Sequence, residues 1–220
     1  GEGELAHRHD KGTVIGITGT NGKTTTTSLT YDIMKRHAKK ALLVGNIEIP
    51  YTGYALESNR DSVTVAEISS FQLETMVTFK PHVTAILNIT PDHLDRHKTL
   101  ENYIAIKESI TKNQDENDFC VLNYNDPVLR EFGKTPRCKV IFFSSSEELE
   151  SGVFLRGDTM IIKENGVETP VCTTKDTSLV GMHNYENIMA AIAMTHAMGV
   201  PLDTIRQGIK EFTAGGHQKE

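Results

Sequence analysis

One stretch near the start constrains this chain more than any other. Gly16-Ile17-Thr18-Gly19-Thr20-Asn21-Gly22-Lys23-Thr24 links a β-branched apolar run to a Thr-rich helical pattern. Glycines let backbone N–H groups turn inward around phosphate oxygens, and the helix N-terminus that follows favours negative charge. Gly19, Thr20, Asn21, Gly22, Lys23, Thr24 and Thr25 therefore read as a P-loop. Lys23 reaches the outer phosphates and Thr24 offers its hydroxyl to Mg²⁺. Ile17 stands where the usual pattern places its first glycine, so the loop is a G-x-x-G-K-T variant. The plainer reading is a Gly-rich turn with a solvated lysine. Strand, turn, lysine and Thr run in that order favour phosphate.

A strand-to-helix turn of this kind belongs to a repeating order. Apolar runs at Val14–Thr18, Ala41–Val44, Ser62–Ile68, Val83–Ile89, Phe119–Leu122 and Lys139–Phe143 read as strands. Helical patterns lie between several of them, clearest over Lys23–Ala38 and Leu100–Lys112. The expectation is an α/β fold: a mostly parallel sheet flanked by helices. Over Gly152–Cys172 the pattern shortens around Glu164-Asn165-Gly166, whose Asn-Gly signals a hairpin, so a small antiparallel appendage is expected there. Helices follow at about His183–Met198 and, after Pro201, Leu202–Phe212.

Composition removes other classes. Among 220 residues, 23 Lys+Arg against 29 Asp+Glu leave a net charge of −6, which disfavours a dedicated nucleic-acid binder. Hydrophobic residues at 38% mark a globular chain rather than a disordered one. No apolar run approaches the ~18 residues of a membrane span. Cys120, Cys138 and Cys172 share no metal or redox spacing and read as reduced thiols, as in a cytoplasmic protein.

In an open parallel sheet, ligands bind beyond the carboxyl ends of the strands, and unusual polar residues collect there. Gly45-Asn46 follows the second strand, Glu67 ends the third, and the fourth runs into Asn88-Ile-Thr-Pro-Asp-His-Leu-Asp-Arg-His97. Singly, Glu67 reads as a paired or solvated carboxylate and His93 as a surface imidazole. Together on one edge beside a phosphate loop, they read as a site suited to Mg²⁺. Lys107 falls within the stripe of Tyr103, Ile106 and Ile110 on a helix that Thr99 caps. It either snorkels or points inward at the site, there open to chemical modification.

These segments together resemble the Mur ligase family, ATP-dependent amide-forming enzymes of peptidoglycan precursor synthesis. The carriers are Gly19-Thr-Asn-Gly-Lys-Thr-Thr25, Glu67-Ile-Ser-Ser-Phe-Gln-Leu-Glu74, the Asn88–His97 stretch, Tyr103-Ile-Ala-Ile-Lys107 and Gly181-Met-His-Asn-Tyr-Glu-Asn187. The phosphate loop alone also fits folylpolyglutamate synthetases. The Glu67 and Asp92–His97 stretches resemble the D-glutamate-adding branch. The resemblance implies that Lys23 and Thr24 hold ATP phosphates and one Mg²⁺, with Glu67 beside it. His93 helps bind a second Mg²⁺, and Lys107 matches a lysine carbamylated by CO₂. Lys23, Lys107 and His93 are thereby the catalytic candidates. Asn46 and Ser69 match positions near substrate, and Asn184 and Asn187 match positions that contact adenine.

The implied reaction activates the carboxylate of UDP-N-acetylmuramoyl-L-alanine as an acyl phosphate, which the amine of D-glutamate then attacks. The partners implied are those substrates and ATP, with no nucleic acid, no membrane and a monomeric state. The match covers residues 12–214, the middle one of the family's three domains, with residues 1–11 as a remnant and 215–220 as a tail. Gly215-Gly216-His217-Gln218 replaces an expected His-Arg stretch, and Glu48 adds a charge where the family has glycine. The tail and the polar start suggest an excised or engineered fragment, expected to bind nucleotide without ligating. A different amide ligase of the superfamily, or a scaffold that keeps the fold, are the other readings.

Overall fold

The computed structural model describes residues 12–45, 59–90 and 99–213. Its frame is one nine-stranded sheet in the order β2-β3-β1-β4-β5-β6-β7-β8-β9. The strands are β1 (Thr13–Thr18), β2 (Lys40–Gly45), β3 (Ser62–Glu67), β4 (Val83–Ile86), β5 (Phe119–Asn123), β6 (Lys139–Ser144), β7 (Gly152–Arg156), β8 (Thr159–Glu164) and β9 (Val167–Thr173). The helices are α1 (Lys23–His37), α2 (Ser70–Leu73), α3 (Leu100–Glu108), α4 (Pro127–Phe132), α5 (Met182–Ala197) and α6 (Leu202–Glu211).

Strand alternation splits the interior into two cores. On β1, Ile15 and Ile17 face one cluster with Leu29 and Ile33 of α1 and Ile188–Met194 of α5. Val14 faces the other, with Leu73, Tyr103, Ile110 and Leu129. Central strands buried on both faces read as near-continuous apolar runs, as parallel strands do. The chain leaves β1 outward to β2 through α1 on one face. It then crosses β1 to reach β4 and β5, with α2, α3 and α4 on the other face. This reversal opens a crevice above the carboxyl end of β1, where ligands of open α/β sheets bind.

The expected appendage is part of the main sheet. β7 continues it in parallel through Phe143↔Val153 and Ser144↔Phe154, and only β8 and β9 turn antiparallel. Asn165 and Gly166 take φ of 52° and 80°, the paired positive values of a tight two-residue hairpin. The helix expected over Leu100–Lys112 ends at Glu108 and closes with a 3₁₀ turn over Ser109–Thr111. β4 stops at Ile86 instead of Ile89, because Asn88 leaves the ladder to bind the loop after β1. α2 and α4 are additions to the expected elements, capped by Ser69 with Gln72 and by Asp126 before Pro127. Among the described residues, no helix is long and apolar enough to cross a membrane.

Candidate functional site

The loop after β1 is shaped by two glycines with positive φ. Gly22 caps α1 in the left-handed region at φ 84°, and a Cβ there would stand 2.5 Å from Asn187 Oδ1. Conformation and close approach each demand glycine. Gly19 sits at φ 148° against Leu87 and Asn88. Asn88 braces the loop from the end of β4. Its Oδ1 accepts from Thr20 N–H at 2.9 Å and Asn21 N–H at 2.8 Å, and its Nδ2 donates to Asn21 O at 2.9 Å. Tyr103 of α3 adds a hydroxyl contact of 2.9 Å to Thr20 Oγ1. The loop is therefore held in shape by side chains from two other elements. Lys23 rests on it, donating to Gly19 O at 2.8 Å.

Beneath the loop lies an unusual concentration of buried charge. Glu67, 4% exposed at the end of β3, accepts from Thr24 Oγ1 at 3.2 Å through Oε2. Lys107, 2% exposed, donates to Thr18 Oγ1 at 2.9 Å and Gly19 O at 3.2 Å. The helical stripe of α3 thus carries Lys107 inward to the loop, and it does not snorkel. Burial pushes the Lys107 ammonium down to about 7, the nearby Lys23 charge pushes the same way, and Glu67 opposes them. Burial raises the Glu67 carboxyl above its usual range, against the pull of Lys23, the Thr24 hydrogen bond and Lys107. Lys23 and Lys107 thus both pull on the one buried carboxylate, Glu67.

A cleft of about 430 Å³ opens beside the loop, lined by Asn21, Gly22, Leu87, Asn88, Thr90, Asn123, Phe143, His183, Glu186 and Asn187. Leu87 and Phe143 give it apolar walls; the rest is mostly amide and carboxylate.

Of the expected site residues, the structure gathers Gly19 to Thr25, Glu67, Lys107 and Asn187. Asn184 is turned aside: its Nδ2 donates to Val180 O at 2.9 Å, and it does not line the cleft. Ser69 is engaged in a capping box, its hydroxyl accepting from Gln72 N–H at 3.2 Å and facing Gln72 Oε1 at 3.2 Å. Asn46, Glu48 and His93 lie outside the described residues. The site also draws in Thr18, and it uses Asn88, expected at the sheet edge, and Tyr103, expected only in an apolar stripe, as braces of the loop. A threonine closing β1 and a tyrosine one turn before Lys107 were the available signals.

Comparisons with known proteins identify the family and the fold. The Mur ligase middle domain family matches residues 17–195. UDP-N-acetylmuramoylalanine--D-glutamate ligase of Lachnoclostridium phytofermentans is 50% identical over 220 residues, 100% of this chain and 48% of that protein. The ligase of the same name from Lachnospira eligens is 48% identical, covering 100% of this chain and 49% of its own length. The chain spans about half the length of the curated relatives it matches. Among solved structures, MurF from Acinetobacter baumannii superposes with a TM-score of 0.71 at 21% identity, over 98% of this chain and 49% of that one. MurF ligase from Thermotoga maritima in complex with ADP gives 0.69 at 20% identity, over 94% and 51%. Likenesses at this level of identity concern the fold.

Proposed function

Since the chain belongs to the Mur ligase family, we propose that it is the nucleotide-handling domain of an ATP-dependent ligase that joins D-glutamate to UDP-N-acetylmuramoyl-L-alanine. The observation that carries this reading is the glycine loop standing over the buried Glu67 and Lys107, with Thr24 donating to the Glu67 carboxylate. Relatives named for that reaction match the chain over its whole length. Peptidoglycan precursor synthesis is the setting this implies.

The residues fit the groups such an enzyme uses. The hydroxyl of Thr24 and the Glu67 carboxylate form an all-oxygen donor set next to the phosphate loop, the kind a hard divalent cation takes. Mg²⁺ bound there supplies charge neutralisation and orients phosphate oxygens. We assign His93 and a carbamylated Lys107 to a second Mg²⁺. An amine held at about 7 is largely neutral near physiological pH, and the neutral amine is the form that adds CO₂, giving a carbamate and releasing a proton.

Each residue then has a physical task. The N–H groups at the start of α1 and the Lys23 ammonium bind the phosphates, Lys23 leaving Gly19 O for the outer oxygens. Asn88 and Tyr103 keep the loop in register. Asn187, packed on Gly22, borders the nucleoside end; Asn184 is assigned beside it by resemblance, as Asn46 and Ser69 are to the substrate end. The substrate carboxylate attacks the γ-phosphorus, ADP leaves, and the amine of D-glutamate displaces phosphate from the acyl phosphate. Lys23 lowers the repulsion between the attacking carboxylate and the triphosphate.

The test is phosphate release by this chain extended to the length of its relatives. Release that requires ATP, UDP-N-acetylmuramoyl-L-alanine and D-glutamate together is expected. Release with another amino acid in place of D-glutamate would point to a different ligase of the superfamily, and no release under any combination would favour a scaffold.

A further inference from the structure

The cleft beside the phosphate loop contains a carboxylate that the reading above leaves without work. On α5 the positions that face the cleft are 183, 186 and 187, the i, i+3, i+4 set of one helical face. Glu186 lies between the apolar walls and the amides, its side chain 17% exposed.

Its position is fixed by a chain of hydrogen bonds from the ends of β5 and β6. Glu186 Oε1 accepts from Asn123 Nδ2 at 3.3 Å and Asn125 Nδ2 at 3.1 Å. Asn123, itself buried, also donates to Leu87 O at 3.1 Å. Asn125 Oδ1 accepts from Ser144 Oγ at 2.7 Å and Ser146 Oγ at 2.8 Å. A carboxylate only accepts, so both amides must present their NH₂ groups to it, and the two serine hydroxyls suit that orientation of Asn125. Oε1 is thereby occupied twice. Oε2 has the longer approach of 3.8 Å to the exposed His183 Nδ1. It is the acceptor left for a ligand.

We propose that Glu186, held by Asn123 and Asn125, selects the nucleobase by accepting a hydrogen bond from an exocyclic amino group at the position adenine uses and by repelling a carbonyl oxygen there. The proposal rests on the nucleotide reading of this cleft. A purine with a 6-amino group gives Oε2 a donor. The same purine with a 6-oxo group sets oxygen against oxygen in a partly desolvated site. A pocket built to pair a hydrogen-bonding group discriminates far more sharply than one that only matches shape. Asn125 is a positioning residue in this scheme, acting through Glu186.

Calorimetric titration of this chain with Mg²⁺-ATP and Mg²⁺-ITP, which differ at that purine position, tests it. The wild type is expected to prefer ATP by about tenfold or more, the scale of a hydrogen bond to a charged group. Glu186→Gln, close in shape and able to donate, is expected to lose most of that preference through weaker ATP binding, with ITP affinity kept or improved. Retained ITP binding also reports an intact fold. Asn125→Ala is expected to reduce the preference by a smaller factor. An unchanged ATP:ITP ratio in Glu186→Gln, or an equal loss for both nucleotides, overturns the proposal while leaving the nucleotide site standing. A wild type that binds neither nucleotide overturns the reading beneath it.

Discussion

Glu67 and Lys107, at the carboxyl ends of the parallel strands, sit almost wholly out of water, whereas Arg156, at the end of β7 where it pairs antiparallel with β8, meets its partners at the surface. Arg156 pairs with Glu168 through two bonds of 2.8 and 3.0 Å and with Glu148 at 2.6 Å. By geometry that network is the better one. Exposed pairs nevertheless contribute little, because water competes for both charges. The pair beneath the loop has no direct ion-pair geometry to match it, yet burial moves both of its titrations toward neutrality. Buried charge of this kind is poor evidence of stabilisation and good evidence of a site. One sheet thus carries paired charge at the surface at one end and buried charge beneath a glycine loop at the other.

Gly22→Ala should produce the largest break in that comparison. It adds a Cβ at φ 84°, where L side chains are strained, and 2.5 Å from Asn187 Oδ1, so the Asn187 side chain must also move. The expected result is loss of ATP affinity by about a hundredfold or more, together with a stability loss of about 1–3 kcal/mol, read by titration and denaturant unfolding.

The pH dependence of folding is next. An unfolded lysine keeps its proton up to about its ordinary 10.5, while Lys107 in the folded chain releases it near 7. Between those values the unfolded state binds more protons, so stability rises with pH and is lost again as pH falls through about 7. In CO₂-free buffer the rise is expected to reach a few kcal/mol, and Lys107→Met should flatten it. A Lys107→Met curve that keeps the wild-type slope would remove Lys107 as its source.

The same titration makes a chemical prediction. With ¹³C-bicarbonate present, the wild type should show a carbamate carbon resonance that is absent from Lys107→Met. A spectrum without that resonance across pH 7–9 would leave the second metal position without its carboxylate.

The smallest effect is expected at the antiparallel edge. Arg156→Ala should shift the thermal midpoint by no more than about 2 °C and leave nucleotide affinity unchanged. A larger shift would mean that exposed ion pairs hold this edge after all.

Much of this was legible before the structure, for physical reasons that also mark where legibility stops. Strands buried on both faces announce themselves as β-branched apolar runs, and the Gly-Lys-Thr turn fixes its own place between β1 and α1. Asn165-Gly166 supplied its hairpin. Periodicity gives a direction but not a depth, so Lys107 was ambiguous within its stripe until Tyr103 and Thr18 showed how far inward it reaches. The register at the start of α5 was subtler. Resemblance pointed to Asn184 and Asn187, but a short amide near a helix start can turn back to an open carbonyl, as Asn184 does with Val180. Glu186 and Asn187 then face the cleft. The Ser69-x-x-Gln72 spacing carries the capping signal of α2, an element the apolar pattern does not reveal, and the cap competes with any ligand for the Ser69 hydroxyl. Asn88 stands at the sheet edge in the sequence, but its bonds to Thr20 and Asn21 span more than sixty residues of chain and are not legible there.

The central claim is that the buried charge lies beneath a working triphosphate site. Its most direct test is calorimetric titration of Mg²⁺-ATP into this chain and into Lys23→Ala. Saturable one-site binding by the wild type, weakened about a hundredfold or more in a mutant that melts like the wild type, is the predicted result. Equal affinity in the two proteins, or a folded wild type that takes up no nucleotide, would contradict it.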